Sequence, residues 1–399
     1  MNILIANIAI FISLIPWVSF RFLNLDTQPW FIIAVTLFVV LNFKKTASIY
    51  IWFSLFLPIS AIFIAIIYRE FDFLTARAVS SYYAFFIVLL SFYYYRRYVG
   101  SALNIIIFSN VLWLVAGLIQ VVFGSLALSA LVIVRTTEDR GVTGLAPEPT
   151  FYGMFLFFIS WLLILESELL NKNRRKVYVL LISNFIFILL VAKSAMVVLF
   201  IFIALLCYSA VYLFSFKRIV VFCISMTFLG ALVYFNTGVF EGSRLYKLVN
   251  VLLESPGVII QKDGSINERA SHLYFSIKAF VVGYGFPHGF HSFSEYLVHE
   301  RDLSNGFFWW GKPENKVMSG VGSIAYELGW GVCFFLVSFF GLLWNKYELK
   351  RSIFTVTLLF GLMLSAIPLA FPIIPMIMVS TFFYNQKTNR EKNENIRIN

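Results

Sequence analysis

Two stretches carry residue types that could do chemistry. The first is Arg140-Gly-Val-Thr-Gly-Leu-Ala-Pro-Glu148-Pro-Thr-Phe-Tyr-Gly153, between two long apolar runs. Pro149 suits the first turn of a helix, where its missing N–H has no partner to lose. Glu148 then falls at the cap, where a carboxylate meets the positive end of the helix dipole. A capped loop-to-helix junction explains these residues as well as a site does. The second stretch begins with Ser265-Ile-Asn-Glu268, a capping-box pattern that starts a helix. In that helix Ile266, Ala270, Leu273, Ile277 and Phe280 share one face, and Ser265, Arg269, His272 and Ser276 share the other. Arg269, expected within the first turn and close to the helix's positive end, is a physically sound phosphate ligand. Gly283-Tyr-Gly285-Phe-Pro-His288-Gly289-Phe-His291 follows, a turn able to bring backbone amides to an anion. Further on, Glu327 lies about two turns into an apolar span, as a functional acid or a paired structural one.

These residues are positioned by membrane helices. Hydrophobic residues make up 60% of the chain, charged ones 13%, and mean hydropathy is +0.85, more apolar side chain than a soluble chain can hide. Apolar runs long enough to span a bilayer recur, and in lipid such runs must be helices. The net charge of +11 does not point to nucleic acid, because basic residues cluster in short loops. Lys44-Lys45, Arg96-Arg97, Lys172 with Arg174-Arg175-Lys176, Lys217-Arg218 and Lys346 with Lys350-Arg351 follow the positive-inside pattern.

The expected fold is an all-α polytopic membrane protein of about 12 transmembrane helices (11–13), in one integral domain over 1–399. Spans are expected at roughly 2–20, 28–43, 47–68, 78–95, 101–124, 150–169, 177–192, 195–215, 219–235 and 319–343. The region 352–384 reads as two more, broken near Pro368, Pro372 and Pro375. Both termini then lie inside, and the first run is a retained helix, not a signal peptide. The loop 125–149, with Arg135, Arg140 and Glu148, and the long loop 236–318, with all four histidines, lie outside. Residues 244–253 form an amphipathic interfacial helix that starts at Arg244. Cys207, Cys223 and Cys333 all fall in apolar segments, read as buried thiols with neither disulfide framework nor metal spacing.

Three blocks in order resemble the O-antigen polymerase and ligase superfamily of bacterial envelopes. They are Arg140-x-x-Gly-Leu-x-x-Glu148-Pro-Thr-x-x-Gly153, then Ser265 to Arg269 with Gly283-x-Gly285, then Gly322-Ser-x-x-x-Glu327-Leu-Gly-Trp. The resemblance covers about half the chain and implies a GT-C-like fold in the bacterial inner (cytoplasmic) membrane, with the active site facing the periplasm. It implies a glycosyltransferase moving a growing glycan from undecaprenyl pyrophosphate onto a lipid-linked repeat unit; no Asp-x-Asp-like pair suits a divalent metal, so metal independence is expected, with no cofactor. Implied partners are that lipid-linked oligosaccharide, membrane lipids and a chain-length regulator protein. Ligases of this superfamily carry a His-Asn pair before the last block; here the stretch reads Lys316-Val-Met-Ser-Gly-Val-Gly, which favours polymerase over ligase.

Stabilising charge on the departing diphosphate would fall to Arg140 and Arg269, supported by Arg135, with Arg244, Glu327, Gly283 and Gly285 as further binding residues. Glu148, His288 and His291, in that order, are candidates to take the acceptor's proton. Arg135 and Arg244 serve equally as interfacial anchors. A lipid-linked oligosaccharide flippase and a purely structural assembly partner are the rival classes. Charges gathered in outer loops, not at the bilayer midplane, count against the flippase.

Overall fold

A computed structural model describes residues 3–19, 28–42, 45–136, 141–171, 174–212, 220, 251, 258–364 and 367–398. The expected span 219–235, the helix 244–253, Arg140, Arg244 and Cys223 lie outside these residues, apart from the isolated positions 220 and 251.

The described chain is helical. Eight helices precede position 213: α1 (Ile3–Ser13), α2 (Trp30–Leu41), α3 (Ile49–Tyr68), α4 (Phe73–Tyr94), α5 (Leu103–Phe123), α6 (Pro149–Leu170), α7 (Arg174–Ile186) and α8 (Ala195–Tyr212). Six more follow a single turn at Ile259–Lys262: α9 (Gly264–Val282), α10 (Phe293–Leu303), α11 (Gly320–Leu328), α12 (Val332–Leu343), α13 (Leu349–Leu364) and α14 (Ile373–Ile398). Wide turns extend α4 over Tyr95–Val99 and α7 over Phe187–Ala192, and a tight turn at Gly329–Gly331 joins α11 to α12. Six of the resulting helical stretches are long and apolar enough to cross a membrane: 49–68, 73–99, 103–123, 149–170, 174–192 and 320–343. This is an all-α membrane protein. At 22 residues, α6 is about 33 Å long, close to the thickness of a bilayer's hydrocarbon core.

Local chemistry sets the ends. Asp72 caps α4 by accepting from the Thr75 N–H (2.9 Å). Arg69 and Asn171 end α3 and α6 in the left-handed conformation. The first helix stops at Ser13, well short of position 20, and the chain turns at Pro16 and Trp17. The 352–384 region does divide into two helices around Pro368 and Pro372. Of the cysteines, Cys333 is exposed on α12, not buried as expected, and Cys207 is half-buried.

The core centres on α6, which packs against α5, α7, α8 and α14; α3 packs on α4 and α12. Trp113 of α5 stacks on Phe155 of α6 (centroids 4.0 Å apart) and donates its Nε1–H to the Leu14 carbonyl (2.9 Å). Trp17 sits edge-on to Trp113 and stacks on Phe371. Buried polar groups are paired across helices: Asn110 and Asn184 exchange amide hydrogen bonds, and Asn184 also donates to Ser160. Each such bond is worth about 0.6–2 kcal/mol in a membrane.

Candidate functional site

Glu148 is the N-cap of α6 and Pro149 its first residue. The Glu148 side chain makes no capping bond; it faces Arg135, whose Nη1 lies 3.9 Å from Oε1. The loop before it is fixed from below. Gln120, buried near the end of α5, accepts from the Thr143 and Gly144 N–H groups (2.9 and 2.7 Å) and donates to Thr143 Oγ1 (3.1 Å). Gly144 has φ +58, and a Cβ there would strike the Tyr152 ring. Gly141 packs against the Val191 and Ala192 carbonyls, leaving no room for a side chain.

Two adjoining cavities share Arg77, Ser81, Lys316 and Pro368; neither Glu148 nor Arg135 lines them. The larger, about 260 Å³, has an apolar wall that includes Trp17, Phe31, Phe73, Phe151 and Phe371. Its polar rim is Arg77, Ser80, Ser81 and Lys316. The smaller, about 100 Å³, shares Arg77, Ser81 and Lys316, and continues to Tyr82, Ser323 and Glu327. Lys316 is held below its ordinary value by burial, then by Arg77 and Arg135; Glu314 and Glu148 oppose the shift. By area Lys316 is exposed. Arg77, Arg135, Glu148, Glu314 and Lys316 share one electrostatic environment. Glu327 is eight residues past Ser319, the N-cap of α11, or about 12 Å along the helix axis. It accepts from the Tyr82 hydroxyl at 2.5 Å.

Arg269 lines neither cavity. Its Nη1 lies 2.6 Å from Met196 Sδ at the start of α8, just beyond the Val191–Ala192 turn on which Gly141 rests. Its neighbour Glu268 is raised above the ordinary carboxylate range by burial, against the pull of Arg301 and Arg269. The charge of Glu314 acts on both Glu268 and Lys316.

No family model, curated protein or solved structure matches this chain.

Several expectations change. The cap of α9 is Asp263, which accepts from the Ile266 N–H, so Ser265–Glu268 is not the capping box and Arg269 stands in the second turn, not the first. The packed face of α9 is Asn267, Ser271, His272, Phe275, Ser276 and Ala279, while Ile277 is exposed. Gly283 and Gly285 do not offer free amides. The N–H groups of 283, 284, 285 and 286 bond to the carbonyls of Ala279, Val281, Phe280 and Gly283. Both glycines make room for rings: a Cβ at Gly283 would meet His288, and one at Gly285 would meet Trp330.

His288 and His291 line neither cavity. His288 stacks on Tyr326 (4.7 Å) and is lowered by burial. His291 Nε2 lies 3.0 Å from both Asp72 and Thr75, while Glu70 accepts from the Phe290 and His291 N–H groups. These contacts pin the turn to the α3–α4 corner. Arg77 and Lys316 are the residues that sequence reasoning missed. Each is a cation within a few residues of an expected span, where a charge is ordinary.

Proposed function

We propose that this chain is a surface-polysaccharide polymerase of the O-antigen polymerase type. It transfers a growing glycan from undecaprenyl pyrophosphate onto a lipid-linked repeat unit at the outer face of the bacterial inner membrane. One observation carries the reading: a cavity with an aromatic wall and a cationic rim, Arg77 and Lys316. A polyprenyl diphosphate has that polarity, an apolar tail joined to a dianionic head.

On this reading Arg77, Lys316 and Arg135 hold the diphosphate, and Arg269 and Arg140 are further cations for it. Fixed cations stabilise charge as the bond between the anomeric carbon and the diphosphate oxygen breaks, and loss of one such donor costs about 10²–10³ in rate. The acceptor hydroxyl forms the new bond and gives its proton to Glu148, the carboxylate whose charge acts on Lys316. The lipid diphosphate leaves as an anion. Neither step draws on a metal or cofactor, and the donor's diphosphate bond supplies the free energy. Twelve spans, both termini inside, a periplasm-facing mouth and a chain-length regulator as partner complete the proposal.

The test is the glycan banding pattern of a deletion strain carrying wild type, Lys316→Met or Arg269→Ala at matched protein level. The expected result is loss of the ladder, with single repeat units still attached to the core. Accumulation of lipid-linked polymer with no attachment would make the protein a ligase. An unchanged ladder in both variants would sink the assignment.

A further inference from the structure

Helix α9 and the turn after it run inward beside a candidate membrane span. Four contacts fix their register. The Met318 N–H donates to His272 Nδ1 (3.3 Å), and the packing space of Gly322 is filled by Ser276 Oγ. The His288 N–H donates to the Tyr326 carbonyl (3.0 Å), and the Trp330 N–H donates to the Gly285 carbonyl (2.9 Å). From 272–318 through 276–322 to 285–330 the residue numbers rise together, so α9 runs parallel to α11, and the 288–326 contact shows the chain turning back after Gly285. From the Gly322 level to the Trp330 level is eight residues, about 12 Å along the axis. Gly331 in turn packs against Ser60, eight residues before the end of α3. The Gly283–Phe286 tip thus lies at the depth of membrane-spanning residues on two neighbours.

The outward face of this element is apolar except for Lys278, which is part-exposed and ion-paired with Glu300. Tyr274, Ile277, Val281, Val282, Tyr284 and Phe286 are all exposed, from 40% to 82%. The face is continuous with exposed Trp330 and, through the Tyr68–Pro287 hydrogen bond, with the exposed isoleucines of α3. The polar residues Asn267, Ser271, His272 and Ser276 turn inward. Irregular backbone survives at membrane depth only when its polar groups are satisfied by protein. Here all four N–H groups of 283–286 are bonded, Trp330 supplies donors to the Tyr284 and Gly285 carbonyls, and Tyr68 supplies one to Pro287.

We propose that Gly264–Phe286 is a re-entrant element, with acyl chains of the bilayer as the partner of its outer face. Arg269 then stands where the element leaves the headgroup region, on the same helix whose lower half meets lipid tails. The inference depends on register and burial alone and holds whether or not the protein polymerises glycan.

The test is spin-label accessibility of full-length protein in phosphatidylethanolamine/phosphatidylglycerol nanodiscs, with Cys207, Cys223 and Cys333 replaced by serine. Single labels go on Val281→Cys and Tyr284→Cys, with Ile277→Cys in reserve should either fail to fold. Ile66→Cys on α3 serves as the lipid control and Asp302→Cys as the water control. Expected is collision with oxygen well above collision with a nickel chelate at 281 and 284, matching position 66. Nickel access equal to that at 302 would overturn the proposal, because the face would be in water. Shielding from both reagents would overturn it too, by showing a protein covering the face.

Discussion

His272 shows what burial does to a single side chain. It is fully enclosed, Nδ1 accepts one hydrogen bond, Nε2 has none, and burial followed by Arg301 lowers its pKa to about 4. The unfolded chain holds this histidine at its ordinary 6.5. Between these values the unfolded state binds more protons, so stability rises with pH through the window. The contribution of neutral His272 is whole above pH 6.5 and is lost as pH falls toward 4, on the order of 3 kcal/mol in all. The expected outcome is a melting-temperature gap between wild type and His272→Gln that shrinks from pH 7.5 to pH 5. A gap that stays constant would mean the imidazole is not held neutral. The same enclosure separates His272 from catalysis, since a base needs a path to its substrate.

The turn after α9 makes the argument for elements. Gly285 has φ +77, and a Cβ there would come within 2.7 Å of the Trp330 ring. Gly285→Ala should cost about 1–2 kcal/mol for the backbone alone, with the ring clash added. In a thermal-shift assay, Trp330→Ala in the same chain should recover the clash and leave the backbone loss. No recovery would mean that the ring does not set the fit.

This turn also shows how far the sequence could be read. The glycine punctuation is visible in Gly283-Tyr-Gly285, and so is the helix before it; the Pro149 start of α6 and the break near Pro368 were equally readable. Each depends on neighbours a few residues away. What hid the turn's role was the distant partner, Trp330, 45 positions on. Gln120 hid in the same way, a polar residue in an apolar span whose three bonds reach the 143–144 loop. Lys316 and Arg77 are flanking charges by local context, and only the packing of α4 beside the chain before α11 makes them the rim of one cavity. On α9 the expected apolar stripe shares only Ile277 with the exposed face, while Phe275 and Ala279 pack inward, because the neighbouring elements and not the periodicity decide which side is covered.

At the scale of the molecule the charges gather at two ends. The cavity end carries Arg77, Arg135, Glu148 and Lys316. The other end ties the first half of the chain to its C-terminal helix. Arg96 Nη1 pairs with Glu166 at 2.9 Å, and Ser380 of α14 donates to the second Glu166 oxygen at 2.8 Å. Beside them Arg351 pairs with Glu168, Lys392 with Glu348, and Lys387 bonds the Leu169 carbonyl. The last three are part-exposed and contribute little each. The Arg96–Glu166 pair differs because Glu166 is wholly buried. Removing one partner of such a pair leaves a buried charge alone and costs about 3–5 kcal/mol, whereas replacing both with apolar residues is often close to neutral. Arg96→Met should therefore unfold at lower temperature than wild type in a thiol-dye melting assay in detergent. Arg96→Met/Glu166→Leu should recover most of that loss, even though it removes more polar bonds, Ser380's among them. If the double variant instead melts below the single one, the pair is holding α4, α6 and α14 together by its own attraction, and the burial argument fails.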